Sequence, residues 1–182
     1  MHAVCRYGLA HLIRQARQSQ QVAEDALVEG LGLDYRDQLD ALPTPAELAT
    51  PWRDLVYPFR IRRDGVRVAR NVAYDPTQGK RGLLDVYFPA GDPVQGAPVL
   101  LQVHGGGWSI GDKDQQGLPL MNHLAAKGWV CVAINYRLSP RDAFPAHIVD
   151  VKKAIAWIKE NIADYGGDPS YLAITGGSAG GH

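Results

Sequence analysis

Residues 171–182 read YLAIT, then GGSAGG, then His182. An apolar run of strand length leads into Gly176-Gly177-Ser178-Ala179-Gly180, which fits the pattern G-x-S-x-G, and Gly181 follows where a helix is expected to begin. A serine at that place sits on a sharp, strained strand-to-helix turn that exposes its hydroxyl, and side chains at the flanking positions would clash. The pentapeptide alone arises often by chance; the strand in front of it gives this match its weight. Ser178 is therefore a candidate nucleophile, with Gly177 and Gly180 shaping the turn.

Moving back along the chain, Pro98 introduces residues 99–103 (VLLQV), and residues 129–134 form a similar apolar run. Continuous rather than alternating runs suit strands buried on both faces of a parallel sheet. Residues 66–74 alternate, and residues 83–88 follow, closed by Pro89. Helical periodicity fills the gaps. Residues 118–127 are apolar-periodic and stop at Gly128, while residues 145–165 put Ile148, Val151, Ile155, Ile158 and Ile162 on one stripe before Gly166-Gly167. Strands alternating with helices give the α/β class, a mostly parallel sheet flanked by helices on both faces.

The N-terminal part differs in kind. Leu9, Leu12, Ile13, Ala16, Ala23 and Leu27 recur at helical spacing over residues 9–28, with Gly30 and Gly32 as a stop. Residues 34–58, with Pro43, Pro45, Pro51 and Pro58, read as irregular connection. Residues 1–55 thus form an N-terminal helical extension, either cap-like or a plain packing helix, and residues 56–182 the α/β part.

Composition excludes several classes. With 46% hydrophobic and 21% charged residues, and nineteen basic against nineteen acidic, the 182 residues describe a globular chain without the basic excess of a nucleic-acid binder. Arg60, Arg62, Arg63, Arg67 and Arg70, relieved by Asp64, read as solvated faces of extended chain. No uninterrupted apolar stretch is long enough to span a membrane, and the first residues lack the apolar core of a signal peptide. Cys5 and Cys131 suggest no disulfide framework, so the cytoplasm is the default compartment, with an upstream membrane or signal segment left open.

A second glycine-rich point, His104-Gly105-Gly106-Gly107-Trp108, follows the strand at 99–103. Three glycines in a row let backbone N–H groups turn toward a developing oxyanion. Other uses of these glycines fail on spacing: no lysine follows GGSAGG as a phosphate loop requires, and neither segment fits G-x-G-x-x-G. No H-E-x-x-H or paired C-x-x-C occurs, so no metal and no cofactor is expected.

HGGGW (104–108), NYRLSP (135–140), FPAHIVD (144–150), GGDP (166–169) and GGSAGG (176–181) together resemble the hormone-sensitive-lipase-like group of α/β-hydrolase esterases and lipases, from about residue 83 onward. The resemblance implies a carboxylic ester hydrolase working through an acyl-serine on a small-molecule ester. Ser178 would be the nucleophile, the N–H groups of Gly106, Gly107 and Ala179 the oxyanion hole, with His104, Gly105, Gly177 and Gly180 in support. In this group an acid and then a histidine follow the serine, but here only Ala179, Gly180, Gly181 and His182 remain. The chain reads as a fragment, the N-terminal half of such a fold. Without base and acid it is expected to keep only about 10³–10⁴-fold over water.

The remaining polar candidates have quieter expected roles. His182 packs or caps, His104 braces the loop, His123 and His147 fall on helices, Asp168 belongs to a turn, and Asp150 pairs with Arg137 to fix the NYRLSP loop. The last strand, without its next neighbour, is an exposed edge that predicts low solubility. Two other readings stand beside the esterase: a non-catalytic remnant that binds an acyl ligand or a partner, and a serine peptidase on the same fold.

Overall fold

The computed structural model describes residues 2–38, 44, 56–57, 61–91 and 95–182. It divides into Met1–Thr50 and Pro51–His182, and the expected boundary after residue 55 borders residues outside the described set. In the first unit, helix α1 (His2–Leu31) outruns the periodic stretch at both ends and stops at Gly32, whose φ is 97°. The expected stripe of Leu9, Leu12, Ile13 and Leu27 is exposed. A 3-10 turn, Tyr35–Gln38, folds back onto α1: the Tyr35 hydroxyl donates to the Glu24 carboxylate and Arg36 pairs with it at 2.7 Å. Most of the rest of 34–58 lies outside the described residues.

Five strands build the second unit: β1 (Val66–Ala73), β2 (Leu83–Pro89), β3 (Ala97–Val103), β4 (Val130–Ile134) and β5 (Gly167–Gly176). They form one sheet in the order β1-β2-β4-β3-β5. Only β2 runs against the rest, antiparallel to β1 and β4, while β3 pairs in parallel with β4 and β5. Helices α2 (Leu118–Ala126) and α3 (Ala146–Asn161) cover opposite faces. Leu84, Val86, Val99, Leu101, Val132 and Ile134 pack with Ala154 and Ile158 of α3. Tyr87, Leu100, Cys131 and Ala133 pack with Leu118, Met121 and Ala125 of α2. Successive residues of one strand thus enter different layers, which is why the sequence shows runs instead of alternation. Each fully buried Val, Leu or Ile contributes about 1.5–3 kcal/mol.

Two sequence expectations need correction. Of the expected stripe, Ile158 and Ile162 are buried and Val151 and Ile155 pack against the core, beside buried His147, Asp150 and Ala154, whereas Ile148 is exposed. The same helix also presents Asp150 inward, where it meets Arg137. The arginine cluster is not simply solvated. Arg70 pairs with buried Asp85 at 3.1 Å, and the Arg67 guanidinium lies 5.3 Å over the Phe88 ring. Among the described residues no helix is long and apolar enough to cross a membrane.

Candidate active site

Parallel register brings the two glycine-rich points together. Val103 of β3 stands opposite Gly176 of β5, so the segments that leave these strands emerge side by side at their carboxyl ends. Gly177 stays extended, at φ −105° and ψ 145°, and Ser178 then turns into the left-handed region at φ 53° with its side chain exposed. A 3-10 turn, Ser178–Gly180, stands where the sequence suggests the first turn of a helix. The Ser178 carbonyl accepts from the amides of Gly181 at 2.9 Å and His182 at 3.1 Å. This turn leans directly on β3: a Cβ on Gly180 would lie 2.2 Å from the Val103 carbonyl oxygen.

The loop after β3 touches the same turn. A Cβ on Gly105 would lie 2.6 Å from the Gly177 carbonyl oxygen and 3.3 Å from Ser178 Cβ. The Gly105 amide donates to Gln116 Oε1 at 2.8 Å, while the Gly106 carbonyl accepts from the amides of Ser109 and Ile110. Among the hydrogen bonds of the described residues, none is donated by the amides of Gly106, Gly107 or Ala179. Trp108, itself at φ 57°, accepts the Ser139 amide at 2.7 Å and meets the edge of the His182 ring at 5.5 Å.

His104 lies beneath this loop, 1% exposed. Its ring stacks on Tyr136 with centroids 4.4 Å apart, and the Tyr136 hydroxyl donates to the His104 carbonyl at 2.7 Å. Because a carbonyl only accepts, the 2.8 Å contact with the Gly105 oxygen puts the proton on Nδ1. Nε2 is then a buried acceptor without a partner. Burial, helped by the Arg81 charge, holds the imidazole below its ordinary pKa against the opposing pull of the Gly105 carbonyl and Asp112.

Side chains that sequence reasoning passed over hold the far side of the loop. Asn135, fully buried, accepts the Lys113 amide at 2.8 Å and donates to the Lys80 carbonyl at 3.1 Å. Arg81 donates to the Gly111 carbonyl at 2.9 Å, and Lys113 pairs with Asp85 at 2.8 Å in the interior. The expected Arg137–Asp150 pair is present, at 2.7 Å. His147 Nε2 lies 3.3 Å from Ser139 Oγ, His123 is exposed on α2, and Asp168 accepts from the Ser170 amide and hydroxyl. No group of three or more His, Cys, Asp or Glu side chains among the described residues could hold a metal ion.

The family model described as BD-FAE matches residues 84–182, from β2 through the serine turn. The chain belongs to the BD-FAE family. Two relatives from Mycobacterium tuberculosis carry enzyme names. This BD-FAE chain is 45% identical to "Probable carboxylic ester hydrolase LipM" over 96% of its own length and 41% of the relative's. It is 46% identical to "Esterase LipQ" over 92% of its length and 40% of the relative's. The chain therefore spans about two fifths of the curated relatives it matches. Among solved structures, esterase B from Lactobacillus rhamnosis superposes with a TM-score of 0.59 at 24% identity, over 71% of this chain and 43% of that one, and shares its α/β-hydrolase fold.

Proposed function

We propose that this chain supplies the nucleophile and the oxyanion site of a carboxylic ester hydrolase. Ser178 Oγ attacks the carbonyl carbon of a small-molecule ester, and the developing oxyanion takes hydrogen bonds from the amides of Gly106, Gly107 and Ala179. Collapse of the tetrahedral species releases the alcohol and leaves an acyl-serine, which water cleaves to the acid. His104 and Gly105 hold the loop, and Gly177 and Gly180 the turn.

One observation carries this reading. Three backbone donors without acceptors occur on two segments that meet beside an exposed serine in a left-handed conformation. Backbone strain of this kind persists where surrounding structure enforces it, and nucleophiles are typical beneficiaries. The ester chemistry in the names of LipM and LipQ agrees with it.

Neither an Asp or Glu nor a well-placed histidine follows Ser178 within the 182 residues, so turnover by these residues alone is proposed to be slow. Residues 1–55 are proposed as a helical extension to the partial hydrolase domain of 56–182. The free, buried thiol of Cys131 fits a reducing compartment such as the cytoplasm.

A fluorophosphonate probe tests the assignment. The unaltered protein is expected to be labelled at Ser178, slowly because no base follows the serine here, and Ser178→Ala not to be labelled at all. Binding of an acyl ligand that survives Ser178→Ala, with no labelling of the unaltered chain, would favour the non-catalytic reading instead.

A further inference from the structure

A single hydrogen bond joins the two ends of the loop that follows β3. The Gly105 amide gives its proton to Gln116 Oε1 at 2.8 Å, and the Gly105 carbonyl takes one from His104 Nδ1 at the same distance. Gly105 is thereby held on both sides, through the peptide before it and the peptide after it. The second of these peptides carries the Gly106 N–H, the first of the proposed oxyanion donors. A residue without a Cβ has the widest choice of backbone angles, so the aim of that N–H depends on what grips its neighbours.

Gln116 is placed to be one of those grips and does little else. Its side chain is exposed, so it adds nothing to the buried core. Its Oε1 and Ser178 Cβ each lie 3.3 Å from the position a Gly105 Cβ would occupy, so Gln116 and Ser178 crowd the same side of Gly105. An uncharged acceptor suits this place, since a carboxylate here would set a negative charge beside the developing oxyanion.

We propose that Gln116 is a positioning residue of the oxyanion site, fixing Gly105 so that the Gly106 amide points at the reacting carbonyl. The inference rests on the esterase reading above. It is distinct from the roles of the glycines themselves, because Gln116 acts through the Gly105 peptide that it holds.

The test compares the unaltered protein with Gln116→Leu and Gln116→Glu by two readouts. One is hydrogen exchange of the Gly105 amide by NMR, which needs no chemistry at Ser178. The other is the rate at which a fluorophosphonate labels Ser178, where the Oγ–P bond forms, the P–F bond breaks and the hydroxyl proton leaves with fluoride. Gln116→Leu is expected to melt as the unaltered protein does, to exchange at Gly105 faster, and to label about 10- to 100-fold more slowly, less than the cost of deleting a donor outright. Gln116→Glu keeps the acceptor and is expected to keep Gly105 protected. Unchanged exchange in Gln116→Leu overturns the proposal, as does faster exchange with an unchanged labelling rate. Failure of the unaltered protein to label, with Gly105 protected as expected, instead sinks the esterase reading and takes this proposal with it.

Discussion

Arg137 and Asp150 are joined by three donor groups: Nη2 to Oδ1 at 2.7 Å, Nε to Oδ2 at 2.9 Å and to Oδ1 at 3.2 Å, and the Arg137 amide to Oδ2 at 2.9 Å. Asp150 is completely buried, and the pair ties the segment after β4 to the first turns of α3. Asp150→Ala leaves a half-sheltered guanidinium and an amide without an acceptor, and is expected to destabilise by about 3 kcal/mol in urea unfolding. Exchanging the two residues should recover only part of that loss, because an arginine at 150 cannot accept the backbone amide at 137. Full recovery would mean the charges alone carry the contact.

Strain at the nucleophile separates two substitutions that both remove the hydroxyl. Ser178 holds φ 53°, which costs a residue with a Cβ about 1–2 kcal/mol. Ser178→Gly is therefore expected to unfold at higher denaturant, by about 1 kcal/mol, and Ser178→Ala to match the unaltered protein. Equal midpoints for the two variants would remove the case for stored strain.

Methyl groups added at Gly180 and Gly107 should act very differently. At Gly180 the new carbon would sit 2.2 Å from the Val103 carbonyl oxygen, forcing the serine turn off the end of β3. Gly180→Ala is expected to lose about 1–3 kcal/mol and its fluorophosphonate labelling. Gly107 faces open space at φ 58°, so Gly107→Ala should cost only about 1 kcal/mol of backbone strain and still fold around the elbow.

His104 gives the loop a pH dependence of definite sign. Burial lowers its folded-state pKa below the ordinary value of 6.5, so the unfolded chain takes up this proton first as pH falls. Stability from His104 is complete above about pH 6.5 and drains away as pH drops from there toward the depressed folded value. Melting temperatures between about pH 7 and pH 5 should fall less steeply for His104→Phe, which keeps a ring against Tyr136 but cannot titrate. Parallel slopes would assign the dependence to other groups.

Where the backbone sets the requirement, the sequence records it. Glycine was legible at 105 and 180 because any Cβ there strikes a carbonyl oxygen of the other segment. The strands were legible because β4 is buried on both sides along its whole length. Long-range polar contacts leave no such trace. Gln116, Asn135 and the buried Lys113–Asp85 pair have no period and no composition signal, since their partners lie far along the chain. On α3 the pairing of Asp150 with Arg137 was legible, and only Ile148 departs from the expected apolar stripe.

The sheet has one finished side and one open side. At β1 a bulge between Ala69 and Val72, with Asn71 at φ 57° and Arg67 and Arg70 already engaged, disrupts the rim as a template. At β5, ten residues long, the ladder runs only toward β3, and Tyr171 and Ile174 face solvent. Further strands can therefore enlist on one flank only, alongside the strand that ends at the nucleophile.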